Sequence, residues 1–241
     1  MIPKIIHYCW FSGDKKPALI RKCIRSWKKH LPDYEIRCWD GNSFDFNSLD
    51  FTREAMIAKK YAFASDYVRL YALYNYGGIY LDSDVEVFKN FDLFLNNSFF
   101  SGIDESAGIY LIEAGIIGCE KGFPYIKECM DYYEHTHFMS EGKPIIAPEI
   151  LARPAEKYGY RRENKEQHLE NGIHIYPRTV FANGDYLYNY NVIDYKDLYA
   201  IHHNMGYWLP KKQGKFWHFC YKNNLMGLYK YIEKIFVSFR K

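Results

Sequence analysis

The sequence predicts an α/β fold in which crossover helices connect the strands of a sheet. Two stretches carry that reading. Residues 4–39 run strand, helix, strand, the opening of a β-α-β unit. Residues 61–84 run helix, Gly-Gly turn and strand, and end on Asp82-Ser83-Asp84. Open α/β sheets bind ligands at that place, beyond the carboxyl ends of their strands.

Each element has its own cause. Lys4–Trp10 (KIIHYCW) is a nearly continuous apolar run, as in a buried parallel strand. Pro17 suits a helix first turn, and Ile20, Cys23, Ile24 and Trp27 recur at helical spacing. Pro32-Asp33 turns the chain, and Tyr34–Trp39 alternates apolar and charged residues as a strand does. Residues 61–76 form the next helix, stopped by Gly77-Gly78, because glycine readily takes the left-handed conformation that ends helices. Ile79-Tyr80-Leu81 follows as a strand. Phe99–Ile103 and Ile109–Ile117 are expected strands, and Phe123–Tyr133 a helix started near Pro124. Between 140 and 200, Pro144, Pro148, Pro154, Pro177 and Asn183-Gly184 cut the chain into short pieces. Leu225, Leu228, Tyr229, Ile232, Ile235, Phe236 and Phe239 share one face of an amphipathic helix. Residues 1–221 are therefore read as one domain and 222–241 as a basic C-terminal helix.

Composition bounds the function classes. The chain has 241 residues, 48% hydrophobic and 25% charged, enough for one well-buried core. Aromatic residues reach 19%, with 24 Tyr and 17 Phe. They either pad core and surface or line a sugar-binding groove, and composition does not separate the two. The net charge of +3 is uneven. Residues 205–241 carry eight Lys/Arg against Glu233 alone, while the other 204 carry 24 Lys/Arg against 28 Asp/Glu. A mildly acidic body argues against a nucleic-acid-coating protein, and a basic tail suits an anionic membrane surface. The six cysteines show no CxxC and no regular spacing. They are expected to be reduced, which points to a cytoplasmic location. No signal peptide is read before Pro3, and no apolar run is long enough to span a bilayer.

Asp82 and Asp84 offer hard oxygen ligands to a divalent cation. Two carboxylates so close ionise together only with a cation nearby. A solvated acidic loop would show the same spacing. Asp66 and Arg69, at i and i+3, share a helix face. They are either a plain ion pair or a pair turned toward the acidic strand end. In the second case Arg69 meets a phosphate or sugar hydroxyl, and Asp66 accepts from sugar hydroxyls. His202-His203 offers an imidazole to a Mn-type ion, or is a satisfied core or surface pair. Trp10 and Trp208 are core residues or the walls of a base-binding slot.

Ala64–Asp84 (ASDYVRLYALYNYGGIYLDSD) resembles the signature of glycosyltransferase family 32, the sugar-binding-region glycosyltransferases with an Asp-x-Asp motif. Its members include a yeast initiating mannosyltransferase and bacterial capsular-polysaccharide enzymes. The clostridial glucosylating toxins share the pattern S-D-x-x-R, then G-G-x-Y-x-D-x-D. The opening IPKIIHYCW is similar to the family's first strand, and IHHNMGYW to its C-terminal H-H-x-x-G-x-W element. The three ordered motifs span residues 2–208.

The resemblance implies a GT-A fold, a Rossmann-like nucleotide-sugar-binding mixed sheet flanked by helices. It implies retaining transfer of a hexose from a nucleotide-sugar, a UDP-sugar by resemblance, with Mn²⁺ or Mg²⁺, to a glycan acceptor in bacterial surface polysaccharide synthesis. Trp10 would stack on the base, and Asp66 and Arg69 would grip the donor sugar. Asp82 would contact the ribose and hold the metal mainly through water. Asp84 would ligate it directly, His203 would complete its shell, and Trp208 would flank the diphosphate. His202 is the alternative ligand. The family's acceptor-side Gly-Pro segment corresponds to Ala147-Pro148, and Glu113 and Glu149 are carboxylates that could reach the acceptor. The C-terminal helix either docks on the domain or lies on an anionic inner membrane leaflet, where a lipid-linked glycan would be met. The residues alone leave open a non-catalytic metal-dependent sugar- or nucleotide-binding module, and a different metal-dependent phosphoester enzyme.

Overall fold

A computed structural model describes residues 1–106, 108–138, 145–183 and 196–204. A seven-stranded mixed sheet runs through its centre. Its strands are β1 (Ile5–Cys9), β2 (Glu35–Trp39), β3 (Gly78–Leu81), β5 (Phe99–Ser106), β6 (Ile109–Cys119), β7 (Gln167–His168) and β8 (Ile173–Tyr176), in the order β2-β1-β3-β6-β5-β8-β7. β1 lies parallel to both β2 and β3, as expected of β-α-β units with crossover helices. β6 runs antiparallel between β3 and β5, and β8 returns parallel to β5. A second sheet of three short strands, β4 (Val85–Val87), β10 (Ala200–His202) and β9 (Phe181–Asn183), adjoins it in that order.

The central sheet is covered on both faces. On one face α3 (Tyr61–Tyr76), α4 (Pro124–Glu134) and α5 (Ala147–Ala155) supply Leu70, Leu73, Ile126 and Leu151, which pack with Tyr80, Phe99 and Ile117. On the other, α1 (Ala18–His30) supplies Leu19, Cys23 and Trp27, which pack with Ile79, Leu81, Val85, Phe100 and Ile116. Alternate residues of β3 thus serve opposite cores, which is why its short run is apolar throughout. A further helix, α2 (Asp50–Ile57), packs Phe51 and Ala55 near α3. Cys23, Cys119 and Cys129 are buried free thiols that fill the core, and Cys38 is exposed.

The turn from α3 to β3 needs its two glycines. Gly77 and Gly78 have φ of +65° and +104°. A Cβ on Gly78 would lie 2.6 Å from the Ile5 carbonyl oxygen, and one on Gly77 2.8 Å from the Lys121 nitrogen. The turn therefore presses β3 against β1. Buried His7 locks the same corner. Trp39 Nε1 donates to its Nδ1 at 3.1 Å, so its Nε2–H donates to the Gly77 oxygen at 2.9 Å. One ring thus ties β1, β2 and the end of α3.

Trp208 and the expected helix over 222–241 lie outside the described residues, as does the boundary between the two proposed units. Among the described residues no helix is long and apolar enough to cross a membrane.

Candidate active site at the carboxyl edge of the sheet

β3 ends at Leu81, and the chain turns at once. The Asp82 amide donates to the Gly115 carbonyl, and the Val85 amide closes the turn on the Asp82 carbonyl, at 2.8 and 2.9 Å. Asp82 and Asp84 are brought together by this turn. β10 then lies antiparallel to β4 with His202 opposite Val85, which carries an imidazole to the two carboxylates. His202 Nε2 stands 3.5 Å from Asp82 Oδ2 and 3.4 Å from Asp84 Oδ1. One ligand atom from each of Asp82, Asp84 and His202 fits within a 4.8 Å cluster.

The ring beside the aspartates is therefore His202 and not the expected His203. Adjacent strand residues face opposite ways, so the doublet splits. His203 Nε2 meets Glu86 Oε2 at 3.1 Å, and Lys22 Nζ meets the same oxygen at 2.8 Å. That carboxylate is held below its usual range: burial opposes ionisation, and hydrogen bonds from His203 and Lys22 outweigh it.

Glu113 completes the site from β6. There one residue of β5, Gly102, faces four residues of β6, 113–116, because the register shifts between Ser101 and Ile103. Bulges of this kind re-aim side chains beside active sites. Here the bulge turns the Glu113 carboxylate, 3% exposed, to His202 Nδ1 at 2.9 Å. The Gly115 amide donates to the same carboxylate at 2.6 Å. Burial opposes charge on both partners. Glu113 is nevertheless held below the usual carboxylate range, and His202 raised well above the usual imidazole range, by their mutual attraction and by Asp84 beside the ring. A Cβ on Gly115 would fall 2.6 Å from His202 Cε1 and 2.8 Å from Asp82 Oδ2. Only glycine leaves room there.

Arg69 organises the other side. Its Nη2 donates to Asp66 Oδ1 at 2.7 Å and lies 3.5 Å from Asp82 Oδ1. Nη1 donates to the Ala114 carbonyl at 2.7 Å and Nε to the Ser65 carbonyl at 3.2 Å. The guanidinium also lies over the Tyr80 ring, 4.8 Å from its centroid. At 5% exposure it acts as a buried strut linking α3, β3 and the bulge. Asp66 is pushed up to about 7, first by burial, with Arg69 opposing and Asp82 adding to the rise. Tyr80 Oη donates to Asp82 Oδ1 at 2.7 Å, which leaves Oδ2 facing His202.

Trp10 follows β1, parallel to β3, and so stands at the same sheet edge as Asp82. Its Nε1 donates to the Asp14 carbonyl at 2.8 Å, and Lys16 Nζ lies 5.4 Å over its ring. Ala147-Pro148 opens α5, and Glu149 is engaged by Arg162 at 2.7 Å and Arg153 at 2.8 Å.

Two oxygens and an imidazole nitrogen suit a divalent ion of the Mn type. The carboxylate behind the imidazole is the outer-shell partner that metal-binding histidines ordinarily have. The residues present therefore fit the implied cation.

An inositol phosphoceramide mannosyltransferase of Schizosaccharomyces pombe is 32% identical over 132 residues, 52% of this chain and 35% of that protein. An uncharacterized glycosyltransferase of Acanthamoeba polyphaga mimivirus is 24% identical over 222 residues, 87% of this chain and 85% of that one. The chain spans at most about a third of the length of the first two curated relatives it matches. Among solved structures, the apo form of the glycosyltransferase GlyE of Streptococcus pneumoniae shares the fold. Its TM-score is 0.51 at 12% identity, with 99% of this chain and 64% of that chain covered. The expected GT-A architecture is thus the observed one. The family described as capsular polysaccharide synthesis protein matches residues 1–134, more than half of the sequence and the part that holds β1, α3 and both aspartates, and the chain belongs to that family.

Proposed function

We propose that this protein is a metal-dependent glycosyltransferase that moves a hexose from a nucleotide-sugar to a glycan acceptor. The observation that carries the reading is the meeting of Asp82, Asp84 and His202 at the carboxyl edge of β3, with Glu113 behind the imidazole. Asp82, Asp84 and His202 would hold Mn²⁺ or Mg²⁺. Such an ion supplies positive charge where negative charge builds on the leaving diphosphate. Glu113 keeps the proton on His202 Nδ1, and the ion would displace the proton that the ion-free ring carries on Nε2. Arg69 fixes the bulge and adds permanent positive charge beside Asp82. Asp66 presents its carboxylate to sugar hydroxyls, and Trp10 offers a ring face to the base. Trp208, outside the described residues, would flank the diphosphate.

A UDP-sugar donor, retention of configuration by attack on the face the leaving group quits, and a role in surface polysaccharide synthesis belong to the same proposal. They are supported by the motif resemblance and the family. The proposal also keeps residues 1–221 as the catalytic unit in the cytoplasm, with 222–241 on an anionic leaflet near a lipid-linked acceptor. Flotation with anionic liposomes should drop when 222–241 are removed; equal flotation would remove the membrane role.

The central test is Asp84→Ala with a panel of nucleotide-sugars and Mn²⁺. Transfer and donor hydrolysis should vanish while the circular dichroism spectrum is kept. Full turnover by this variant in metal-free buffer would refute the assignment. Donor binding by the native chain without any turnover would make it a binding module.

A further inference from the structure

A second set of metal-competent side chains stands at the opposite edge of the sheet. β7 and β8 pair antiparallel there, with His168 directly opposite His174. Residues so opposed project from the same face with Cβ atoms about 5 Å apart. The two imidazole centroids lie 3.8 Å apart. Glu166, two residues before His168, turns its carboxylate to the same point. Its Oε1 is 2.7 Å from His174 Nε2 and 3.7 Å from His168 Nε2. One ligand atom from each of the three fits within a 4.8 Å cluster.

Hydrogen bonding shows what this cluster needs. The Asn97 amide nitrogen donates to the Phe94 carbonyl at 3.1 Å and to Tyr176 Oη at 3.2 Å. Its oxygen is therefore the atom that faces His174 Nδ1, at 3.4 Å. An acceptor oxygen there sets the hydrogen on Nδ1. In the neutral ring the Nε2 lone pair then points at Glu166 Oε1, 2.7 Å away. That separation is the length of an N–H···O bond, so the ion-free pair shares a proton, which a metal ion bound to both atoms would displace. Asn97 stands to His174 as an outer-shell partner stands to a zinc-bound histidine.

We propose that Glu166, His168 and His174 bind a zinc ion that clasps the edge strand β7 to β8. Two imidazoles and one carboxylate make a three-ligand set with a fourth position for water. This set is richer in nitrogen than Asp82, Asp84 and His202, and imidazole favours Zn²⁺ over Mn²⁺ or Mg²⁺. The two clusters are separate. In the strand order β3-β6-β5-β8-β7, neighbours about 4.8 Å apart place β8 and β7 roughly 14–19 Å from β3. The proposal therefore stands whether or not the chain transfers sugar.

The test uses the full chain with Asp82→Asn and Asp84→Asn, so that the first cluster does not compete. Calorimetric titration with Zn²⁺ should show one ion bound per chain. Adding His168→Ala should weaken that binding by ~10-fold or more. The His168 side chain is 75% exposed, so the fold should be unaffected. Zn²⁺ should raise the melting temperature of the double variant and not that of the triple one. Absence of Zn²⁺ binding by the double variant would overturn the proposal. So would binding that neither His168→Ala nor Glu166→Gln changes.

Discussion

At the scale of single residues, the candidate site rests on what stands behind His202. Glu113 meets the ring nitrogen that faces away from the aspartates, and the Gly115 amide holds Glu113 in turn. Glu113→Gln keeps the shape and removes the charge. It should weaken Mn²⁺ binding about 10–100-fold. Turnover should return as Mn²⁺ is raised, whereas a merely structural loss would not be rescued. His202→Ala should lower Mn²⁺ affinity and His203→Ala should leave it unchanged, because His203 belongs to Glu86 and Lys22. Equal losses in the two variants would undo the assignment. Asp82 and Asp84 were legible in the sequence because a strand end and a tight turn bring neighbours i and i+2 together. The choice within the His doublet was not, since it depends on the register in which β10 pairs with β4. Glu113 was named only as a carboxylate that could reach the acceptor; its place behind the imidazole, and the need for Gly115, were hidden for a related reason: a bulge, unlike a regular strand, leaves no periodic mark.

At the scale of elements, the turn between α3 and β3 sets where the carboxylates stand. Gly78→Ala would put a Cβ 2.6 Å from the Ile5 oxygen at a φ of +104°, a backbone conformation that alanine rarely adopts. Clash and strain together should cost about 2–4 kcal/mol. For a chain of this size the melting temperature should fall by roughly 5–15 °C. An unchanged melting temperature would mean that the turn relaxes freely and does not position β3. The sequence disclosed the elements made by local signals: β1, α1, β2, α3, β3, β5, β6 and α4. It did not disclose α2, β4, α5, β7, β8, β9 or β10. β4, β9 and β10 have three residues each and β7 two, too few for a period to emerge. β4 and β10 pair Val85 with His202, a contact between distant parts of the chain that local patterning does not record. α2 is only eight residues long and starts without a side-chain cap.

At the scale of the whole molecule, one buried imidazole should shape how stability depends on pH. His7 is fully buried and already holds both hydrogen bonds that a neutral ring can make, one accepted from Trp39 and one donated to Gly77. Burial drives its pKa down from 6.5 to about 4, with the Gly77 carbonyl pulling the other way. Above pH 6.5 the ring is neutral in both the folded and unfolded chain, and its contribution is complete. Between pH 6.5 and about 4 the unfolded chain binds a proton that the folded chain refuses, so stability falls as pH falls. The loss from this ring alone should approach ~3 kcal/mol. His7→Gln retains a donor for Gly77 and does not titrate. Denaturant unfolding of both proteins should show the native chain ahead at pH 8 and its lead shrinking toward pH 4. Groups away from His7 and its neighbours Glu35 and Arg37 titrate alike in the two chains and cancel in that difference. Parallel stability curves would mean that His7 takes up a proton as readily in the folded state as in the unfolded, and that the junction of β1, β2 and α3 is open to water.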